Sequence, residues 1–152
     1  MSAESALKLD NQLCFALYAA SNAMTRLYRD LLEPHGLTYP QYLVMLVLWE
    51  QDGLGVKDIG ARLHLDSGTL TPMLKRMAEA GLITRSRSAE DERQVAIELT
   101  AKGRALKPAI ATMHGQLGCL LPMKPAEIAR LRTELRGLAE GLIANAGPPA
   151  AE

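Results

Sequence analysis

The chain has 152 residues, 48% of them apolar and 22% charged. That length suits one compact domain, or a binding unit with attached helices. One Phe, one Trp, four Tyr and little period-two alternation argue against an all-β fold, and the longest apolar run, Tyr42–Trp49, is far too short to span a bilayer. The 17 Lys/Arg balance the 17 Asp/Glu, which taken alone argues against nucleic acid as a partner. The average hides an asymmetry: residues 57–107 hold ten Lys/Arg against seven Asp/Glu, and the remainder seven against ten. Local potential, not total charge, governs phosphate binding. Met1–Asp10 is polar and charged with no apolar stretch, so no leader is expected and the location read from the sequence is cytoplasmic. Thiols there are kept reduced, and Cys14 and Cys119 are expected as free thiols.

In chain order, Asp10 or Asn11 is placed to cap a first helix reaching about Leu32. Its Leu13, Leu17, Ala20, Met24, Leu27 and Leu31 recur at alternating steps of four and three, a seam that wants a partner helix. Pro34-His35-Gly36 ends it. Thr38 caps a second helix with Pro40 in its first turn, closed by Asp52-Gly53. Val56–Leu63 reads as a short third helix, and His64-Leu65 as a tight turn. Asp66 or Ser67 caps a fourth helix through Ala80, stopped by Gly81. Ile83–Arg87 and Gln94–Leu99 read as strands flanking the charged tip Ser88–Arg93. Thr100 caps a fifth helix toward Cys119, Pro122 and Pro125 break the chain, and Glu127–Ala144 is a last amphipathic helix with Ile128, Leu131, Leu135, Leu138 and Leu142 on one face.

The third and fourth helices with their three-residue turn make a helix-turn-helix. Ile59, Leu63, Leu70, Leu74 and Met77 supply its small core. Ser67, Thr69, Thr71, Lys75 and Arg76 are left for the outer face, where small hydroxyls approach bases and phosphates and the two cations neutralise phosphate charge. The hairpin is then a wing. Arg93 at its tip suits the negative potential of a narrow minor groove, with Asp91 to orient it, and Arg85 lies at its base. Pro72 falls inside the fourth helix with no evident reason. Met24, Met45, Met73, Met77, Met113 and Met123 read as gap-filling core residues. His35, His64 and His114 stand singly, outside any metal-binding spacing, and no cofactor is implied.

Cys14 lies in the first turns of the first helix, where the helix dipole favours a thiolate. Tyr18 follows one turn on. Tyr28 is about 21 Å further along the helix, so it cannot meet Cys14 within one subunit, but it can across an antiparallel dimer contact. Tyr39 at the start of the second helix converges with it. Two phenols donating to a thiolate stabilise the charged form. Inert packing of a lone cysteine and of the tyrosines is the competing reading.

Ile59-Gly60-Ala61-Arg62-Leu63, Gly81-Leu82-Ile83-Thr84-Arg85, and Asp91-Glu92-Arg93 followed by Leu99-Thr100 and Gly103 resemble the winged helix of the MarR family. Leu9–Tyr18, Leu37–Tyr42 and Leu65–Pro72 resemble its OhrR type, the organic hydroperoxide sensors, and the resemblance runs from about Leu9 to Cys119. It implies a mainly α fold with a β-hairpin wing. Residues 1–36 would be an N-terminal dimerisation helix, 37–107 the winged helix-turn-helix, 108–146 C-terminal dimerisation helices and 147–152 a disordered tail. It implies a homodimeric repressor, not an enzyme, that binds double-stranded operator DNA when reduced. By the same resemblance Cys14 is the peroxide-reactive thiol, Tyr28 and Tyr39 of the partner subunit hydrogen-bond to it, and Cys119 of the partner subunit is the resolving thiol. Organic hydroperoxide is then the effector. The alternative is a MarR-type repressor gated by a small lipophilic or phenolic ligand. A thiol peroxidase lacks the βαβ pattern it would need, and a bare dimerising scaffold would have no use for the wing.

Overall fold

A computed structural model describes residues 3–87 and 94–146. Its elements in order are α1 (Ala3–Ala6), α2 (Leu13–Leu32), α3 (Tyr39–Glu50), β1 (Leu54–Gly55), α4 (Val56–Leu63), α5 (Ser67–Glu79), β2 (Ile83–Arg87), β3 (Val95–Leu99), α6 (Ala101–Ala105), α7 (Lys107–Leu120) and α8 (Pro125–Ala146). The chain divides into two compact units, one ending at Ile110 and one beginning at Ala111.

In the first unit, three local caps set the helix starts as the sequence predicts. Thr38 and Gln41 form a reciprocal capping box on α3. Asp66 accepts from the Thr69 N–H at 2.7 Å on α5. Thr100 accepts from the Gly103 N–H at 3.0 Å on α6, and its own hydroxyl donates to the Gly81 carbonyl at 2.6 Å. The predicted cap of α2 is different. Leu9–Asn11 form a separate 3-10 turn and the helix starts after Gln12, which provides no side-chain cap. The Asn11 amide is spent backward on the Ser5 carbonyl at 2.7 Å, and the Gln12 amide on that of Ala6. The predicted fifth helix is also broken. It ends at Ala105 and resumes at Lys107, because Pro108 lacks the N–H that would reach the Arg104 carbonyl.

The sheet is antiparallel in the order β1-β3-β2, with Ile83 opposite Leu99, Arg85 opposite Ile97, Arg87 opposite Val95, and the short β1 pairing Leu54 with Ile97. Two residues carry no period, which is why β1 escapes a reading of the sequence alone. The core gathers Leu32, Val44, Met45, Leu48, Ile59, Leu70, Leu74, Met77, Ile83 and Ile97, each essentially fully buried. Met45, Met73, Met77 and Met113 are buried as expected, but Met24 and Met123 are exposed. At the helix-turn-helix turn, His64 takes the left-handed conformation and the Leu65 N–H reaches back to the Gly60 carbonyl at 3.0 Å. A Cβ on Gly60 would lie 2.6 Å from the Leu65 carbonyl oxygen.

In the second unit, α8 begins at Pro125 and not after it. Proline is well suited to a first helical position, and the Glu127 carboxylate accepts the Lys124 N–H at 2.8 Å. No residue of this 22-residue helix is buried.

Because the added Cβ would meet a backbone carbonyl and not the end of a flexible side chain, Gly60→Ala is expected to destabilise the protein by about 2 kcal/mol, in the range of overpacking substitutions. Thermal melting with unchanged helix content at low temperature checks this, and an unshifted midpoint would show that the turn relaxes freely.

Candidate functional site

The outer face of α5 is built by exclusion. Leu70, Met73, Leu74 and Met77 turn into the core, so Ser67, Thr69, Thr71, Lys75 and Arg76 are all exposed. Thr69 is less free than the sequence implies, since its hydroxyl donates to Asp66 at 3.1 Å. With the Thr69 backbone N–H and hydroxyl both pointing at it, the Asp66 carboxyl is held below the usual carboxylate range. Pro72 is exposed on the same helix. Arg85 is exposed on β2, as is Arg87, which the sequence reading passed over. Asp91 and Arg93 lie outside the described residues. A cleft of about 240 Å³ runs between the start of α3 (Thr38, Pro40, Gln41) and Leu65, Thr69, Met73 and Arg76.

Cys14 and Cys119 are both free, exposed thiols. Cys14 is the second residue of α2, and Tyr28 lies near the opposite end of the same helix. Cys119 lies inside α7, and Gly118 beside it has open space where a Cβ would go, so packing does not demand that glycine. The seam residues of α2 are largely unburied: Leu13 is 60% exposed and Met24 37%, and Phe15 and Tyr18 are exposed beside them. On α8, Leu131, Leu135, Leu142 and Ile143 are likewise exposed.

Tyr28 and Tyr39, predicted to converge, do so, with ring centroids 4.9 Å apart. The sequence reading missed the third member. Tyr42 lies 5.5 Å from Tyr28 and 6.1 Å from Tyr39, and its position one turn after Tyr39 on a capped helix was the available signal. Burial raises the pKa of all three phenols, and the neighbouring tyrosines push Tyr28 up further. The hydroxyls therefore stay protonated at any physiological pH and are available as donors. Beside Tyr39, a cleft of about 500 Å³ is lined by Thr25, Arg29, Glu33, Leu37, Thr38 and Pro40. Among the described residues no cluster of three His, Cys, Asp or Glu could hold a metal, and no helix is long and apolar enough to cross a membrane.

A short helix, tight turn, second helix with one exposed face and three-stranded wing base define a winged helix-turn-helix. Residues 26–110 match the family described as transcriptional regulator SarA/Rot. The chain is 53% identical over 139 residues to the HTH-type transcriptional regulator TtmR of Methylorubrum extorquens, covering 91% of this chain and 71% of that one. It is 51% identical over 136 residues to the organic hydroperoxide resistance transcriptional regulator of Bacillus subtilis, covering 90% and 92%. Among solved structures, reduced AbfR bound to DNA shares 37% identity at a TM-score of 0.77, covering 92% of this chain and 97% of that one. The disulfide form of AbfR gives 0.65 at 36% identity, covering 90% and 96%. The chain belongs to the SarA/Rot family of MarR-like winged-helix regulators, and its relatives are regulators, not enzymes.

The depressed Asp66 carboxyl sets a sign. Its contribution is present above the ordinary carboxylate pKa of about 3.9 and is lost as pH falls through the lower folded value. The melting advantage of wild type over Asp66→Ala is therefore expected to shrink between about pH 5 and about pH 2, while Asp66→Asn keeps a cap without that dependence. An advantage constant with pH would show that the carboxylate charge is irrelevant to the cap.

Proposed function

We propose that the protein is a homodimeric, cytoplasmic repressor that binds operator DNA when reduced and releases it when an organic hydroperoxide oxidises Cys14. The observation that carries this is the pairing on α2 of an exposed Cys14 at one end with the Tyr28–Tyr39 contact at the other, along a helix whose apolar seam is left largely unburied. An antiparallel contact between two copies covers the seams and brings Tyr28 and Tyr39 of one subunit to Cys14 of the other. Exposed apolar rows on α8 support the same pairing of copies.

In the oxidation step, the Cys14 thiolate attacks the outer peroxide oxygen. A sulfur–oxygen bond forms as the oxygen–oxygen bond breaks, sulfur gives up two electrons, and the leaving alkoxide takes a proton from water to become the alcohol. The sulfenic acid then condenses with the thiol of Cys119 of the partner subunit, releasing water and leaving a disulfide that cellular thiols reduce. The likeness to AbfR, which has been solved bound to DNA in its reduced form and separately in a disulfide form, supports a redox-responsive regulator. The recognition helices fit successive major grooves about 34–36 Å apart, so a modest rotation suffices for release. Ser67, Thr69 and Thr71 are assigned to bases and nearby phosphates, Lys75, Arg76 and Arg85 to phosphates, and Arg93, with Asp91, to the minor groove.

Gating by a small aromatic or lipophilic ligand is the second reading, and the cleft beside Tyr39 favours it. Fluorescence anisotropy on the upstream DNA separates the two. Wild type is expected to release DNA with stoichiometric cumene hydroperoxide while Cys14→Ser stays bound. If Cys14→Ser also releases, the thiol is not the sensor. Cys119→Ser is expected to abolish a reducible dimer band on non-reducing gels, and persistence of that band would remove Cys119 from the scheme. Arg76→Ala is expected to weaken binding to all sequences alike and lower the salt slope by about 1. A loss confined to one sequence would make Arg76 a base reader instead.

A further inference from the structure

A thiol that senses hydrogen peroxide needs little room beside it. A water molecule takes about 30 Å³, and hydrogen peroxide little more. The cleft beside Tyr39 holds about 500 Å³, which is the size of sites that take a whole organic molecule. Its lining is of three kinds. Leu37, Pro40 and the Tyr39 ring make an apolar wall, Thr25 brings a hydroxyl, and Arg29 and Glu33 bring one charge of each sign. Thr25, Arg29 and Glu33 follow at single helical turns, which sets them along one side of α2 and the turn after it. Opposite charges at that spacing pair readily. Even so, among the described residues the Arg29 guanidinium has neither an ion pair nor a hydrogen bond. Tyr39 joins this cleft to the tyrosine cluster, since it lines the one and packs its ring 4.9 Å from Tyr28 in the other.

We propose that this cleft seats the organic body of the effector, and that Arg29 selects hydroperoxides that carry a carboxylate. The planar guanidinium offers two parallel N–H donors to such a group. The carbon chain lies on Leu37, Pro40 and the Tyr39 ring, and the hydroperoxide end is left on the Tyr39 side for the thiol. This rests on the reading that Tyr39 reaches the partner's Cys14. The step at sulfur is the one given above, and the carboxylate takes no part in it. Glu33 faces the same cleft and repels the same carboxylate. It weakens the grip on the hydroperoxide and equally on the product alcohol, which retains the carboxylate and has to leave.

The test times Cys14 oxidation in the reduced Cys119→Ser protein, where Cys14 is the single thiol. The oxidants are a hydroperoxy fatty acid and its methyl ester, which keeps the peroxide and the chain and loses the charge. The acid is expected to react about ten times faster than the ester, and the ratio to fall to about one in Arg29→Gln. Glu33→Gln is expected to raise the ratio about threefold. Arg29 and Glu33 are both exposed, so neither change touches the core. Equal rates for acid and ester in the parent would overturn the carboxylate subsite and leave the sensor standing. A preference for the acid that survives Arg29→Gln would remove Arg29 from it. The same fatty acid without a peroxide is expected to slow oxidation of Cys14 by cumene hydroperoxide, and no slowing would separate the cleft from the thiol. Should that acid release DNA from Cys14→Ser, the cleft holds a gating ligand instead and the proposal fails. Should no hydroperoxide oxidise Cys14, the sensor reading itself falls.

Discussion

The carboxylate of Asp52 holds the DNA-reading half of the first unit to the helix that carries the tyrosines. One oxygen accepts the Gly53 N–H at 2.9 Å and the Leu99 N–H at 2.8 Å, and the other meets Arg104, whose guanidinium also donates to the Leu99 carbonyl at 2.9 Å. The Trp49 indole donates to the Gly103 carbonyl at 3.0 Å from the same end of α3. Arg104 is well exposed, and an exposed ion pair contributes only about 0–1 kcal/mol. Hydrogen bonds from backbone N–H to a carboxylate contribute about 1.5–3 kcal/mol each, so the N–H contacts and not the ion pair make this joint. Gly103 adds a packing constraint, since a Cβ there would overlap the Leu82 carbonyl.

α3 therefore has one end in the tyrosine cluster and the other clamped to the base of the wing. Between them Val44, Met45, Val47 and Leu48 are buried, so the helix moves as a body of about 18 Å or not at all. Its first turn has a further contact, the cleft it shares with Thr69 and Arg76 of the recognition helix. A displacement at Tyr39 or Tyr42 is thus felt both at the wing base and beside Thr69 and Arg76, with no flexible segment in between to absorb it.

What the sequence discloses follows the range of the interactions involved. Thr38, Asp66 and Thr100 act within three residues of themselves, and each cap is legible from local pattern. The outer face of α5 is legible because the apolar residues with helical spacing subtract themselves from it. Asp52 bonding Leu99 depends on tertiary approach and leaves no local mark, and Tyr42 meeting Tyr28 from another helix is marked only by its place one turn after Tyr39. Pro108 was legible and overlooked, with the result that one predicted helix became two. Cys14 and Cys119 gain their meaning from resemblance, since neither spacing nor burial distinguishes a sensing thiol from an idle one.

The largely unburied seam of α2 and an α8 with no buried residue carry a consequence for abundance. Helices that bury their apolar rows only against a second copy obey mass action, so stability rises with the concentration of the protein itself. In the dimer proposed above, a cell holding few copies would hold them as less stable, more degradable chains, and proteolysis would sharpen the difference between scarce and plentiful. The amount of regulator would then be a cooperative quantity before any operator is filled, and dilution at cell division would be felt as a loss of fold as well as a loss of number.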